Sequence, residues 1–141
     1  MKSRKESYEE LAVAICRFID ENYREDISVD ILKKHFHTSK STINRVLRTQ
    51  LHTSSRYLLN SVRIYKTITS DDTSDRKKFV DIALHHGFSH ENLVKLWCGK
   101  LIGMELDDIR NGGMKIEFEK LANHEFARVI ENYLKILSLG P

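Results

Sequence analysis

Four polar side chains recur on one face of a helix predicted to run from Ser39 to Leu51. They occupy positions i, i+3, i+4 and i+7 of that helix and are Ser41, Asn44, Arg45 and Arg48. Asparagine can pair with adenine, arginine with guanine, and serine with either base or with a phosphate. Because the stripe lies opposite the apolar face of the helix, the predicted chemistry is hydrogen bonding to the edges of DNA bases.

The positive charge of the chain is concentrated around this helix. The 141 residues carry a formal net charge of +3 at pH 7. Residues 28–70 hold eight lysines and arginines and one acid, Asp30, whereas residues 1–27 and 71–110 each have an excess of acids. Such a block is typical of a surface that binds a polyanion. The alternative is a solvated basic surface that binds nothing.

Composition excludes several classes of protein. Apolar residues are 40% and charged residues 30% of the chain, with one proline, which excludes a proline-rich or low-complexity sequence. No apolar run approaches the roughly 20 residues that span a bilayer, and the charged N-terminus lacks the apolar stretch of an export signal. Cys16 and Cys98 lie far apart in apolar helical segments and are expected to be buried, reduced thiols. We therefore expect a cytoplasmic protein that does not contact the membrane.

Helical spacing of apolar residues along almost the whole chain predicts an all-α fold class. Residues 70–78 are wholly polar and form the predicted linker, and Gly112-Gly113 is a second break. The expected N-caps are Ser7, with Glu10 completing a capping box, then Ser28, Thr38 or Ser39, and Ser54 or Ser55.

A short helix, a turn of three to four residues and a longer helix occur twice in this pattern. The first pair is residues 28–37 followed by 39–51, and the second is residues 79–86 followed, through Gly87, by 89–101. A helix-turn-helix unit places its second helix in the major groove of DNA. The pattern therefore predicts two such units.

Residues 11–110 resemble the AraC/XylS family DNA-binding domain, in which two helix-turn-helix units are joined by a long helix. The segments that carry the resemblance are residues 18–23 with 27–29, 39–45, 57–64 and 82–89, and then Gly103 and Arg110. The resemblance predicts that residues 1–70 form the first unit and the linker helix and that residues 71–110 form the second unit. Residues 111–141 lie outside the family pattern, and their apolar spacing predicts a helical extension.

The resemblance implies a bacterial transcription regulator that binds double-stranded DNA at a promoter, acts as an activator and recruits RNA polymerase. Only about ten residues precede the resembling region, so the expectation is a small stand-alone member without an effector domain or a cofactor. The residues expected to contact DNA are Ser39, Lys40, Ser41, Thr42, Asn44, Arg45, Arg48 and Arg56 in the first unit and His90, Asn92 and Lys95 in the second.

The second unit departs from the family pattern. Leu96 stands where an arginine is usual, and Glu91 would face phosphates. Val94 and Cys98 take the positions of the usual aromatic residues. These departures favour an alternative function, in which the second unit and the C-terminal helix bind a partner protein.

The C-terminal segment carries an apolar stripe that must be covered. Two arrangements are open: packing in cis against the helix of Leu11, Ile15 and Phe18, or packing against a second copy of the chain or a partner helix. The second arrangement would make a homodimer. The stripe consists of Phe118, Leu121, Phe126, Val129, Ile130, Tyr133, Leu134 and Leu137.

An enzyme or a metal site is the weaker interpretation. Neither cysteine has the proline-cysteine-histidine context of alkyl-transfer repair proteins. The histidines at positions 85, 86 and 90 and at positions 35 and 37 lack a cysteine or carboxylate at ligand spacing. We therefore expect no catalytic residue and no metal.

Overall fold

The computed structural model of the protein describes residues 3–70, 79–105 and 124–139. All regular secondary structure in these ranges is α-helical, which confirms the predicted all-α class. The seven helices of the described ranges are α1 (Arg4–Asn22), α2 (Val29–His35), α3 (Lys40–Leu51), α4 (Ser55–Ile68), α5 (Phe79–His85), α6 (Glu91–Leu101) and α7 (His124–Ser138). Gly112-Gly113, Phe118, Leu121 and most of the predicted linker lie outside the described residues.

Serine side chains begin four of these helices. Ser28, Ser39 and Ser54 are the N-caps of α2, α3 and α4, and each hydroxyl accepts a bond from the backbone N–H three residues later. The prediction that Ser7 caps the first helix was wrong. Ser3 is the cap, and Ser7 lies inside α1. The helix starts earlier because residues 4–6 are an arginine, a lysine and a glutamate, which are all good helix formers.

The short-helix, turn and longer-helix pattern is present twice. Helix α2 packs on α3, α5 packs on α6, and α4 lies between the pairs and contacts both α5 and α6. The first turn contains His37 at a φ of 50°, and the second contains Gly87 at a φ of 112°. A Cβ on Gly87 would lie 2.8 Å from the Tyr23 carbonyl oxygen and 2.8 Å from Arg63 Nε, so only glycine fits this close approach.

Two hydrophobic cores fill the molecule, and α7 completes both. The first core lies among α1–α4 and includes Ile15, Leu32 and Leu47, and the second lies among α4–α6 and includes Val94 and Trp97. Val129 and Tyr133 of α7 belong to the first core, and Phe126 and Ile130 belong to the second. These four side chains are therefore covered in cis.

The two other stripe residues in the described part of the chain, Leu134 and Leu137, are less buried than predicted. Leu134 is 39% exposed, and Leu137 is only partly buried. The buried residues of α7 cannot supply a dimer interface while they fill the two cores. A homodimer through this helix stays a prediction.

The junction between the two halves is polar and buried. Arg63 of α4 donates from Nε to the Tyr23 carbonyl oxygen at 2.8 Å and from Nη2 to the Glu25 carbonyl oxygen at 2.7 Å. Beside it, the Tyr23 hydroxyl lies 3.0 Å from Nδ1 of His86. Burial lowers the pKa of Arg63 and that of His86. Arg63 therefore holds the end of α1 against α4.

The two cysteines are buried and unpaired, as expected. Burial raises the pKa of both the Cys16 and the Cys98 thiol to about 12, so each behaves as a small apolar side chain. Within residues 3–70, 79–105 and 124–139, no helix has the length and apolar character to cross a bilayer.

Candidate nucleic-acid interface

Helix α3 presents the predicted polar stripe to solvent. Its opposite face is fully buried in the first core through Ile43, Val46, Leu47 and Leu51. This packing fixes the rotation of the helix about its axis. Ser41, Asn44, Arg45 and Arg48 are all exposed, so the predicted division of the helix into two faces is confirmed.

Two of the expected DNA contacts have a structural role at the start of α3. The Ser39 hydroxyl accepts from the Thr42 backbone N–H at 3.1 Å and donates to Oγ1 of Thr42 at 3.0 Å. The first of these bonds satisfies one of the amide groups that every helix start leaves without a partner in the helix, and the second joins the two hydroxyls. Ser39 and Thr42 therefore position the stripe.

Lys40 forms an ion pair at the same end of α3. Its Nζ lies 3.0 Å from Oδ1 of Asp30 on α2, and both side chains are about half exposed. The hydrogen bond from Lys40 lowers the pKa of Asp30. Water screens an exposed ion pair of this kind strongly, so a phosphate can replace Asp30 at little cost.

Arg45 contacts a residue that sequence reasoning missed. Its Nη1 donates to the hydroxyl of Tyr8 on α1, with 3.5 Å between the two atoms. Tyr8 lies 37 residues earlier in the chain, in a segment with an excess of acids, and no local pattern connects it with α3. The packing of α1 against α3 brings the two residues together.

The basic surface is smaller than the sequence suggested. Of the eight bases in residues 28–70, Arg63 is buried at the junction and Lys66 pairs with Asp20 at 2.9 Å. Arg48 and Arg56 are exposed, the latter at the second residue of α4. The positive charge on the surface formed by residues 28–70 therefore comes from six bases, and Asp30 offsets part of it. The six are Lys33, Lys34, Lys40, Arg45, Arg48 and Arg56.

Helix α6 offers fewer hydrogen-bond donors. Asn92 and Lys95 are exposed as expected, but Leu96, beside Lys95, is 44% exposed and cannot donate. His90 is the N-cap of α6, and its Nδ1 accepts from the Leu93 backbone N–H at 3.4 Å. Gly99 follows on the exposed side, and a Cβ there would meet nothing within 4 Å.

Comparisons of the chain with protein-family models, with curated proteins and with solved structures find no match. The resemblance to the AraC/XylS family therefore stays a prediction from the residues that carry it. Among the described residues, no group of three or more histidine, cysteine or acidic side chains is placed to hold a metal ion.

Proposed function

We propose that this protein is a sequence-specific DNA-binding transcription regulator that reads the major groove mainly with α3. One observation carries the proposal. Ser41, Asn44, Arg45 and Arg48 form an exposed stripe on a helix whose opposite face is completely buried. Bidentate pairing of asparagine with adenine and of arginine with guanine needs this kind of rigidly presented side chain.

Cations around the stripe supply contacts to the phosphates. Lys40 lies at the start of α3, and Arg56 projects from the first turn of α4. Lys33 and Lys34 lie in the last turn of α2, the helix that packs on α3. In a helix-turn-helix complex the first helix crosses the DNA backbone, so these side chains anchor the protein while α3 selects the sequence.

Helix α6 makes the weaker contact in this proposal. Asn92 and Lys95 can reach a base edge and a phosphate, while the exposed Leu96 can only make an apolar contact such as one with a thymine methyl group. Sequence preference then comes mainly from the first half of the molecule. Activation through RNA polymerase is part of the proposal because the AraC/XylS resemblance implies it.

A protein-interaction function is the second candidate, and the second half of the molecule favours it. Leu84 on α5 and Leu96 on α6 are 37% and 44% exposed. A regulator that used these side chains to bind a partner protein would have little need of DNA contacts from α6. The two candidate functions predict opposite results for binding of the isolated protein to duplex DNA.

A mobility-shift titration with a duplex of arbitrary sequence tests the proposal at about 50 and about 200 mM salt. If about five phosphates are neutralised, the logarithm of the binding constant falls against the logarithm of salt with a slope of about −4 to −5. Selection from a random duplex library should then enrich one sequence motif. A slope near zero, or no binding at low salt, would exclude DNA binding and leave the protein-interaction function.

A further inference from the structure

The start of α1 lies beside the exposed stripe of α3. Tyr8 is in the second turn of α1, and its hydroxyl accepts the bond from Arg45 at 3.5 Å. The packing of α1 on α3 through the first core makes this placement a property of the fold. The turn of α1 that precedes Tyr8 is exposed throughout and therefore continues past the edge of the core.

Charges are unevenly distributed around this turn. Arg4 and Lys5 precede Tyr8 by four and three residues, so helical spacing places them on the face of α1 that carries Tyr8. Glu6 and Glu10 fall on the opposite face. Arg4 and Lys5 are both exposed. The face of α1 that carries Tyr8 therefore presents two bases at this end, with the exposed Glu9 at its edge, despite the acidic excess of residues 1–27.

In a major-groove complex, phosphates lie close to any side chain at the centre of the groove. The major groove is about 12 Å wide, so a phosphate strand runs about 6 Å to either side of a side chain at its centre. Four residues of α-helix rise about 6 Å, which separates Arg4 from Tyr8 along α1. Arg4 and Lys5 have long, exposed side chains about one turn before the residue that Arg45 contacts, so they are candidates for contacts with the phosphate strand on the side of α1.

We propose that the first turn of α1 is a second phosphate-binding element, in which Arg4 and Lys5 contact the DNA backbone next to the base read by Arg45. This inference rests on the proposed DNA-binding function. It extends the interface beyond the helix-turn-helix pair to a segment whose net charge is negative. Contacts of this kind fix the position of α3 on the DNA without depending on the base sequence.

The experiment compares salt slopes of full-length proteins on one duplex of arbitrary sequence. The test variant carries Arg4→Ala and Lys5→Ala. The control carries Arg128→Ala and Lys135→Ala, two exposed bases of α7 that change the net charge by the same amount. Because all four side chains are exposed, the variants should fold like the parent, and circular dichroism verifies this.

The slope of log binding constant against log salt should be smaller in magnitude by about 1 to 2 for the test variant than for the parent protein. The affinity of the test variant should fall equally for all duplexes. The control should keep the parent slope. A steep parent slope that both variants retain would overturn the role of α1 and leave the proposed function in place. A parent without measurable binding would remove the proposed function and this inference with it.

Discussion

Tyr133 on the last helix donates a hydrogen bond to the carboxylate of Asp20 on the first, with 2.9 Å between the two oxygens. Nζ of Lys66 on α4 lies 2.9 Å from the same carboxylate oxygen. Burial, and next the charge of Asp20, raise the pKa of the Tyr133 phenol, which therefore stays a neutral donor. One carboxylate thus connects α1, α4 and α7, the three helices that hold the two halves together.

Replacing Tyr133 by phenylalanine should destabilise the fold by about 1.5 kcal/mol, because it removes a hydrogen bond to a charged group. The value is at the low end because Asp20 keeps Lys66 and is partly exposed. Urea unfolding measures the change. Tyr8→Phe is the matched control. Its free energy of unfolding should stay within about 0.5 kcal/mol of that of the parent, because the hydrogen bond of the Tyr8 hydroxyl is exposed. Equal stability of the two variants would contradict the connecting role of Asp20.

Two glycines should respond to alanine in opposite directions. Gly87 has a φ of 112°, and an added Cβ would lie 2.9 Å from the Arg24 Cα, so Gly87→Ala should cost at least about 2 kcal/mol through strain and overpacking. Gly99 lies within α6 with open space around it, so Gly99→Ala should stabilise the protein by about 0.5–1 kcal/mol. Thermal unfolding distinguishes them, and a loss of stability from Gly99→Ala would show that this glycine has a packing role.

Acid should loosen the junction around His86. Burial lowers the pKa of His86, and the nearby charges of Arg24, His85 and Lys66 lower it further. The unfolded chain therefore takes up this proton first, so the contribution of His86 is complete above pH about 6.5 and decreases as pH falls through that value. Urea midpoints at about pH 7.5 and about pH 5.5 measure the loss.

The matched variant for this prediction is His86→Gln, which keeps a hydrogen-bond acceptor near the Tyr23 hydroxyl but cannot titrate. The carboxylates titrate equally in both proteins, so the difference between their pH profiles isolates His86. The stability of the His86→Gln variant should change less with pH than that of the parent between about pH 7.5 and about pH 5.5. Parallel profiles would show that His86 binds protons equally in the folded and unfolded chain.

The two exposed helices should contribute unequally to DNA recognition. Arg45→Ala should cost about 1–3 kcal/mol of binding free energy and relax the sequence preference at one position. Lys95→Ala should cost less and weaken all duplexes alike, as the loss of a phosphate contact does. Binding to the selected motif and to single-base variants of it measures both effects. A loss of specificity from Lys95→Ala as large as that from Arg45→Ala would contradict the asymmetry.

Local features of the fold followed from the sequence. Each of these features depends on residues within one or two helical turns of each other. They are the caps at Ser28 and Ser54 and the two faces of α3. The spacing of residue types along the sequence predicts such short-range features directly. The exposure of Asn44 and Arg45 follows from the burial of Ile43 and Leu47 beside them. The stripe proposed to bind DNA was therefore predictable before any tertiary contact was known.

Long-range features were not predictable in the same way. The basic block predicts an exposed Arg63, yet this side chain is buried because carbonyl groups of Tyr23 and Glu25, some 40 residues earlier, accept its N–H groups. Tyr8 entered the candidate site only through the packing of α1 on α3. The capping-box spacing predicts a cap at Ser7, but this spacing also occurs by chance inside a helix, as it does here. A pattern of residue types cannot show which distant backbone groups will accept a bond.

Because α7 completes both cores, neither core can close until the ribosome has synthesised this helix. Asp20 and Tyr133 are separated by 113 residues, which a ribosome needs roughly 5 to 25 seconds to add. During that interval α1 has emerged, but the residues that close its buried face do not yet exist. A ribosome that stops before residue 126 releases a chain with two open apolar surfaces, the form that chaperones and proteases bind. Any truncation that removes α7 therefore exposes both cores at once to such factors.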